Sequence, residues 1–246
     1  MGGVRGGGET GRVDDGSQAA VVARVPGAAA LGLVAPLTAA LVPATSLADA
    51  EWTSEVLARR SRRLGTRDRR VLATVWWYSV SSVVITPALA GLATGVPLSA
   101  RLADISLSVA VDGLPVAATA RAPGGDLGSD LRATLAAGIA AVAEAGRLRP
   151  RPLWAIAADS IAGRLLDLGR ALGDVPAGTA LAAPLAGAVG APLPAPRYVD
   201  VGRARFVRRV SCCLIDRTPH GSLCTSCPRR PPDERQALLA DAARWF

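Results

Sequence analysis

All four cysteines of this chain fall in one C-terminal pattern: Cys212, Cys213, ten residues, Cys224, two residues, Cys227. Cysteines that merely pack are scattered through apolar segments. Cysteines that hold a metal must be gathered, because the thiolate is the ligand and several have to reach one centre. Cys224-Thr225-Ser226-Cys227 is a turn that brings two thiolates onto one metal, and Pro228, with no N–H and a fixed φ, leads the chain away from it. Zinc and iron-sulfur sites both use such a turn. The other half discriminates: neighbouring side chains of an extended chain point in opposite directions, so Cys212 and Cys213 fit two corners of one tetrahedral zinc badly. A [2Fe-2S] cluster is a longer body needing four thiolates, and it meets an adjacent pair with less backbone distortion. The spacing does not assign cysteines to irons.

Two other readings compete. A structural four-cysteine zinc site, on a non-catalytic interaction domain, carries the objection of the adjacent pair. Two disulfides would need an oxidising compartment.

Arg208-Arg209-Val210-Ser211-Cys212-Cys213, ten residues, then Cys224-Thr225-Ser226-Cys227-Pro228 resembles the cluster motif of the FhuF-type ferric siderophore reductases, matching its cysteine spacing in full. Trp77-Tyr78-Ser79 to Pro87-Ala88-Leu89 is similar to a second stretch of that family, where an aromatic pair opens a helix that ends near a proline. The resemblance implies a [2Fe-2S] cluster on Cys212, Cys213, Cys224 and Cys227. It also implies reduction of ferric iron in hydroxamate siderophores, so that Fe²⁺ is released. Ile215 and Asp216 stand where the family commonly has aromatic residues, and a Gly-rich stretch is reduced to His220-Gly221. These departures bear on tuning and donor docking, not on ligation. A [2Fe-2S] electron carrier of another pathway would reuse the same motif.

Seven arginines, Arg203, Arg205, Arg208, Arg209, Arg217, Arg229 and Arg230, lie close in sequence to the cysteines. A four-thiolate cluster is a net anion, so nearby positive charge favours its reduced form, and the same patch can steer an acidic donor such as a ferredoxin or flavodoxin. Arg208, Arg209, Arg217, Arg229 and Arg230 are therefore candidates for donor docking or potential tuning. His220 joins them as a hydrogen-bond donor to cluster sulfur. Nucleic acid is not an expected partner despite a net charge of +8: all 28 basic residues are arginine, a bias of composition, and no nucleic-acid-binding motif is present. A lone histidine excludes His-pair metal sites, and no nucleotide loop or nucleophile elbow occurs, so no catalytic residue is assigned apart from the metal ligands.

The rest of the chain must build the frame that carries this lobe, and 246 residues suffice for one sizeable core. The division expected is a Gly-rich disordered leader at 1–18, a helical α+β core at 19–196 and a cluster-binding lobe at 197–246. Val25 to Ala48 reads as short helices packed on the core rather than a signal peptide. Ser46 with Asp49 predicts a capped helix through Trp52 to Leu64, stopped by Gly65, and Thr66 opens the next. Val71 to Ala100 is thirty residues without a charge, long enough to span a bilayer. Its Ser, Thr, Gly and Pro content favours a buried helix plus loop, leaving at most a peripheral membrane contact and a cytoplasmic location. Ile105 to Val109 alternates, Asp112-Gly113 turns and Val116 to Ala120 returns, which predicts the one clear strand pair. Helices are expected from Asp130 to Ala145 and from Leu153 to Leu172, the second with Asp159 on its polar side and Ile156 there unexplained. An irregular connection from Asp174 to Pro196 and a last helix from Asp233 complete the chain. Trp76, Trp77 and Tyr78 read as core rather than a ligand platform.

Overall fold

The computed structural model describes residues 17–245. The chain is α+β and mostly helical. In order it forms α1 (Gln18–Arg24), β1 (Ala40–Pro43), α2 (Ala50–Leu64), α3 (Arg69–Thr94), β2 (Ile105–Val109), β3 (Pro115–Ala120), α4 (Leu127–Gly146), α5 (Pro150–Ala171), α6 (Val175–Ala180) and α7 (Ala182–Val189). A hairpin of β4 (Tyr198–Val201) and β5 (Ala204–Val207) follows, then the cysteine loop, then α8 (Pro232–Ala242). The leader expected at 1–18 lies outside the described residues except for its end, which is ordered: Gln18 opens α1 and is buried.

Helix α3 is the axis of the core. Its apolar residues face inward on nearly every side: Trp76, Val80 and Leu89 are fully buried. Length and composition would let it cross a membrane, but 83% of its most apolar window is buried inside the molecule, which is the buried-helix arrangement. One neighbour, α5, locks it polar atom by polar atom. On α5, Leu153 O accepts from the Trp77 indole at 2.8 Å and Ser160 Oγ shares a hydrogen bond with Ser81 Oγ at 2.8 Å, while Arg164 Nε donates to Ser82 O at 3.2 Å. These bonds fix rotation and sliding between two helices that apolar contact alone would leave free to shift.

The ends of these helices correct several expectations. Asp49, not Ser46, caps α2, accepting from Glu51 N and Trp52 N. Gly65 stops α2 as expected, in the left-handed conformation. Asp68, not Thr66, caps α3 through Arg70 N and Val71 N. The aromatic pair does not open a helix and Pro87 does not end one: both lie inside α3, which runs on to Thr94. A mid-helix proline costs about 3 kcal/mol. Burial of Ala88, Leu89 and Ala90 beyond it offsets that, at roughly 25 cal/mol per Å² of apolar surface removed from water.

The expected hairpin of β2 and β3 is present, but it is not the sole strand pair. β1 adds antiparallel to β2, with Ala40 opposite Val109, giving the order β1-β2-β3. It lies where short helices were expected, because its exposed Leu41 and Pro43 carry no alternating pattern. On the far side, β3 meets no further strand among the described residues. Gln18 Nε2 donates to Ala118 O at 2.9 Å, Gln18 Oε1 accepts from Ala120 N at 2.7 Å, and Gly32 O accepts from Ala118 N at 3.0 Å. A second unforeseen pair is the β4–β5 hairpin, whose half-exposed strands carry no clear period. The connection expected from Asp174 to Pro196 is partly helical: α6 and α7 form from its alanines, α6 capped by the Asp174 carboxylate on Ala177 N.

Candidate metal centre

The β4–β5 hairpin is the stalk of the cysteine loop, and α5 is what it stands on. Tyr198 OH donates to Ala162 O at 3.1 Å, Arg170 Nη2 to Arg205 O at 2.9 Å, and Arg205 Nη1 to Thr179 Oγ1 at 2.7 Å. The stalk is thus fixed to α5 and α6 at both strands. Beyond β5 the chain runs straight into Arg209.

Arg209 is buried, its side chain 6% exposed. Its guanidinium lies 4.6 Å over the Tyr78 ring, and its Nε stands 3.6 Å from Asp159 Oδ2. Its Nη1 donates to Cys224 Sγ at 3.2 Å. Asp159 does more than pair with it. The carboxylate accepts from Val210 N at 3.0 Å, Ser211 N at 3.0 Å and Ser211 Oγ at 2.5 Å. One buried side chain of the core helix therefore holds the three residues immediately before Cys212. Burial pushes the Asp159 carboxyl up, while the donors from Ser211 and Val210 and the charge of Arg209 pull it back. Burial lowers Arg209, but Tyr78, Cys224, Cys213 and Asp159 together hold it above its usual range. The buried pair is a cost recovered only by geometry this complete.

The expectation that Asp159 points to solvent on the polar side of α5 is overturned. So is the puzzle of Ile156: the C-terminal segment covers that side of the helix, and Ile156, one turn from Asp159, is 1% exposed. Tyr78 is also corrected. Trp76 and Trp77 are core, as expected, but Tyr78 is 38% exposed and carries Arg209 on its face. Asp159 and Tyr78 are the site residues that the sequence did not reveal. The available signal was Ile156, the apolar residue on the otherwise polar side of α5.

The four thiols fall in two groups. Cys212 Sγ and Cys227 Sγ stand 3.8 Å apart. Two ligands on one tetrahedral metal, at the roughly 2.3 Å metal–sulfur distance of a thiolate, would be about 3.8 Å apart. Cys213 and Cys224 are the pair whose charges act on Arg209 and Tyr78. Among the described residues no three side chains of His, Cys, Asp or Glu converge as the ligand set of one ion. Separate pairs suit a body with two irons. Hydrogen-bond donors already face the sulfurs: Leu214 N donates to Cys212 Sγ at 3.4 Å, and Arg229 reaches the same thiol. Leu214 makes that contact from a left-handed backbone, φ 60°, a conformation that costs an ordinary residue about 1–2 kcal/mol. On the other flank, Arg209 Nη2 is buried without a hydrogen-bond partner among the described residues. An anionic sulfide beside Cys224 is the kind of acceptor it lacks, so the donor set fits the cluster.

The remaining candidates separate. Arg230 pins the loop itself: it donates to Leu223 O and to Cys224 O and pairs with Glu234 at the start of α8. Arg229 pairs with Asp216 at 2.6 Å and Arg217 with the same carboxylate at 3.8 Å. Arg208 and His220 are exposed. Gly221 closes the loop between the cysteine pairs, where a Cβ would lie 1.7 Å from Ile215 O, so no other residue fits there without rebuilding the turn.

The sequence profile of the FhuF 2Fe-2S C-terminal domain matches residues 209–229. Among curated proteins none matches this chain. The matched segment runs from Arg209 past all four cysteines, which fit the motif, and the cofactor it indicates is a [2Fe-2S] cluster.

Proposed function

We propose that this protein is a ferric siderophore reductase, taking one electron at a time from a ferredoxin- or flavodoxin-like donor and passing it to ferric iron in a hydroxamate-type siderophore. The observation that carries this reading is the cysteine loop, with Cys212 and Cys227 at the separation of two ligands on one metal inside a segment that matches a FhuF cluster domain. Cys212 and Cys227 would hold one iron, and Cys213 and Cys224 the other, in keeping with the opposite directions of adjacent side chains. When bound, the cluster supplies a single electron, converting Fe³⁺ to Fe²⁺, which hard oxygen ligands hold less tightly.

The chain's own residues set the terms. Asp159 positions the backbone ahead of Cys212, and Arg209 and Leu214 N donate to ligand sulfurs, which stabilises the more negative reduced state. Exposed Arg208 remains to meet an acidic donor. The test is turnover: chemically reduced protein is reoxidised by a ferric hydroxamate siderophore, with Fe²⁺ captured by a ferrous chelator. Donor reduction slows as salt rises, since screening shortens electrostatic reach to about 8 Å at physiological ionic strength. If no ferric siderophore takes the electron, the protein is a [2Fe-2S] carrier of another pathway.

Arg209→Gln separates tuning from folding. It removes a charge-assisted hydrogen bond to Cys224 while Val210 and Ser211 still satisfy Asp159. A redox titration then shows the midpoint potential falling by tens of millivolts, where about 59 mV is a tenfold change in a one-electron equilibrium. An unchanged potential would make Arg209 a packing residue only.

A further inference from the structure

Cys212 and Leu214 open onto a cleft of about 590 Å³ whose opposite wall is basic: Arg70 from the first turn of α3, Arg147 at the end of α4 and Arg149 at the start of α5. An adjoining hollow shares Arg70 and Leu214 and adds Arg217. The side chains of Arg70, Arg147 and Arg149 make no hydrogen bond or ion pair among the described residues. One carboxylate, Asp68, lines the hollow, and it is engaged as the cap of α3. Guanidiniums gathered around a hollow repel each other, and an anion between them removes that repulsion. Their planar forks match carboxylate and other paired oxygens. The hollow beside Cys224 differs: Asp159 and Asp167 balance Arg170 and Arg209 there, in only about 250 Å³.

We propose that the cleft at Cys212 is the acceptor site and that it selects ferric chelates of net negative charge. Building on the reductase reading, this narrows its substrate class. Three hydroxamates just neutralise Fe³⁺, so a plain trihydroxamate complex offers the arginines nothing. A siderophore that adds free carboxylates to its hydroxamates gives an anionic complex, and the cleft seats it against a cluster ligand. A volume of this size accommodates a small chelate.

Gallium(III) has the charge and chelate geometry of ferric iron without its redox chemistry, so binding can be read apart from turnover. Calorimetry on the cluster-loaded protein at low salt compares the gallium complexes of a citrate-hydroxamate siderophore and of a neutral trihydroxamate. The anionic complex binds at least about tenfold tighter, and the double variant Arg70→Gln/Arg149→Gln removes roughly that advantage. The neutral complex binds the variant and the parent alike, and an unchanged visible spectrum confirms that the variant is folded. Equal affinity for the two complexes, or an anion indifferent to the variant, overturns the proposal. So does a variant that slows reduction by an acidic donor protein while gallium binding persists, for then the cleft is the donor's. Should all ferric chelates oxidise the reduced protein equally, the reductase reading stands and the selectivity falls. Should none do so while the gallium anion still binds selectively, the reductase reading falls and the anion site stands.

Discussion

Changing any one of Cys212, Cys213, Cys224 or Cys227 to serine abolishes the cluster. The parent protein, purified without oxygen, is brown and carries about two irons and two acid-labile sulfides per chain, as a [2Fe-2S] centre requires. Each variant loses most of both, because the chain holds four cysteines and no spare. The loss is cooperative within each pair: taking Cys212 away leaves Cys227, 3.8 Å distant, with an iron it cannot hold alone. Full retention of the parent spectrum in Cys212→Ser or Cys213→Ser would remove the adjacent pair from the ligand set. A colourless parent with one zinc per chain would replace the cluster by a structural ion.

Asp159→Ala produces the second large effect, at a residue that touches no ligand. The substitution strips the acceptor from Val210 N, Ser211 N and Ser211 Oγ and leaves the Arg209 guanidinium buried beside an empty space. Removing one partner of a buried ion pair costs about 3–5 kcal/mol. The cost falls on the junction between α5 and the cysteine loop, so the far-ultraviolet spectrum keeps its helical shape while iron is lost on desalting. Asp159→Asn keeps the size and one acceptor oxygen, and it retains more iron than the alanine variant. Equal iron in all three proteins would show that the loop is held by its own internal bonds, such as those of Arg230, and that Asp159 is dispensable.

The cluster motif was legible in the sequence because coordination chemistry is written as types and spacings, and four cysteines in sixteen residues leave few readings. The large helices were legible for a similar reason: caps and long apolar stretches are local. What stayed hidden was the meeting of distant segments. Asp159 lies 51 and 52 positions from the backbone groups it holds, and on α5 it reads as an ordinary solvated acid. Tyr78 reads as one of three aromatics until Arg209 is seen on its ring. Arg70, Arg147 and Arg149 were invisible as a group, since three helix ends bring them together. Strands β1, β4 and β5 escaped notice because each has only four residues, too few to show a period. Pro87 misled because propensity is a local prior and core burial overrides it.

The amide of Gln18 has a consequence for how copies of this protein treat one another. An outer strand with free N–H and C=O groups is a template on which another chain can add a strand, and natural proteins blunt such edges. Here the amide offers its own oxygen and nitrogen to Ala120 N and Ala118 O, much as a neighbouring strand would, and Gly32 O takes the N–H of Ala118. Gln18 therefore acts as a stopper against strand addition at this edge, and its replacement by an apolar residue would leave Ala118 O and Ala120 N without that partner.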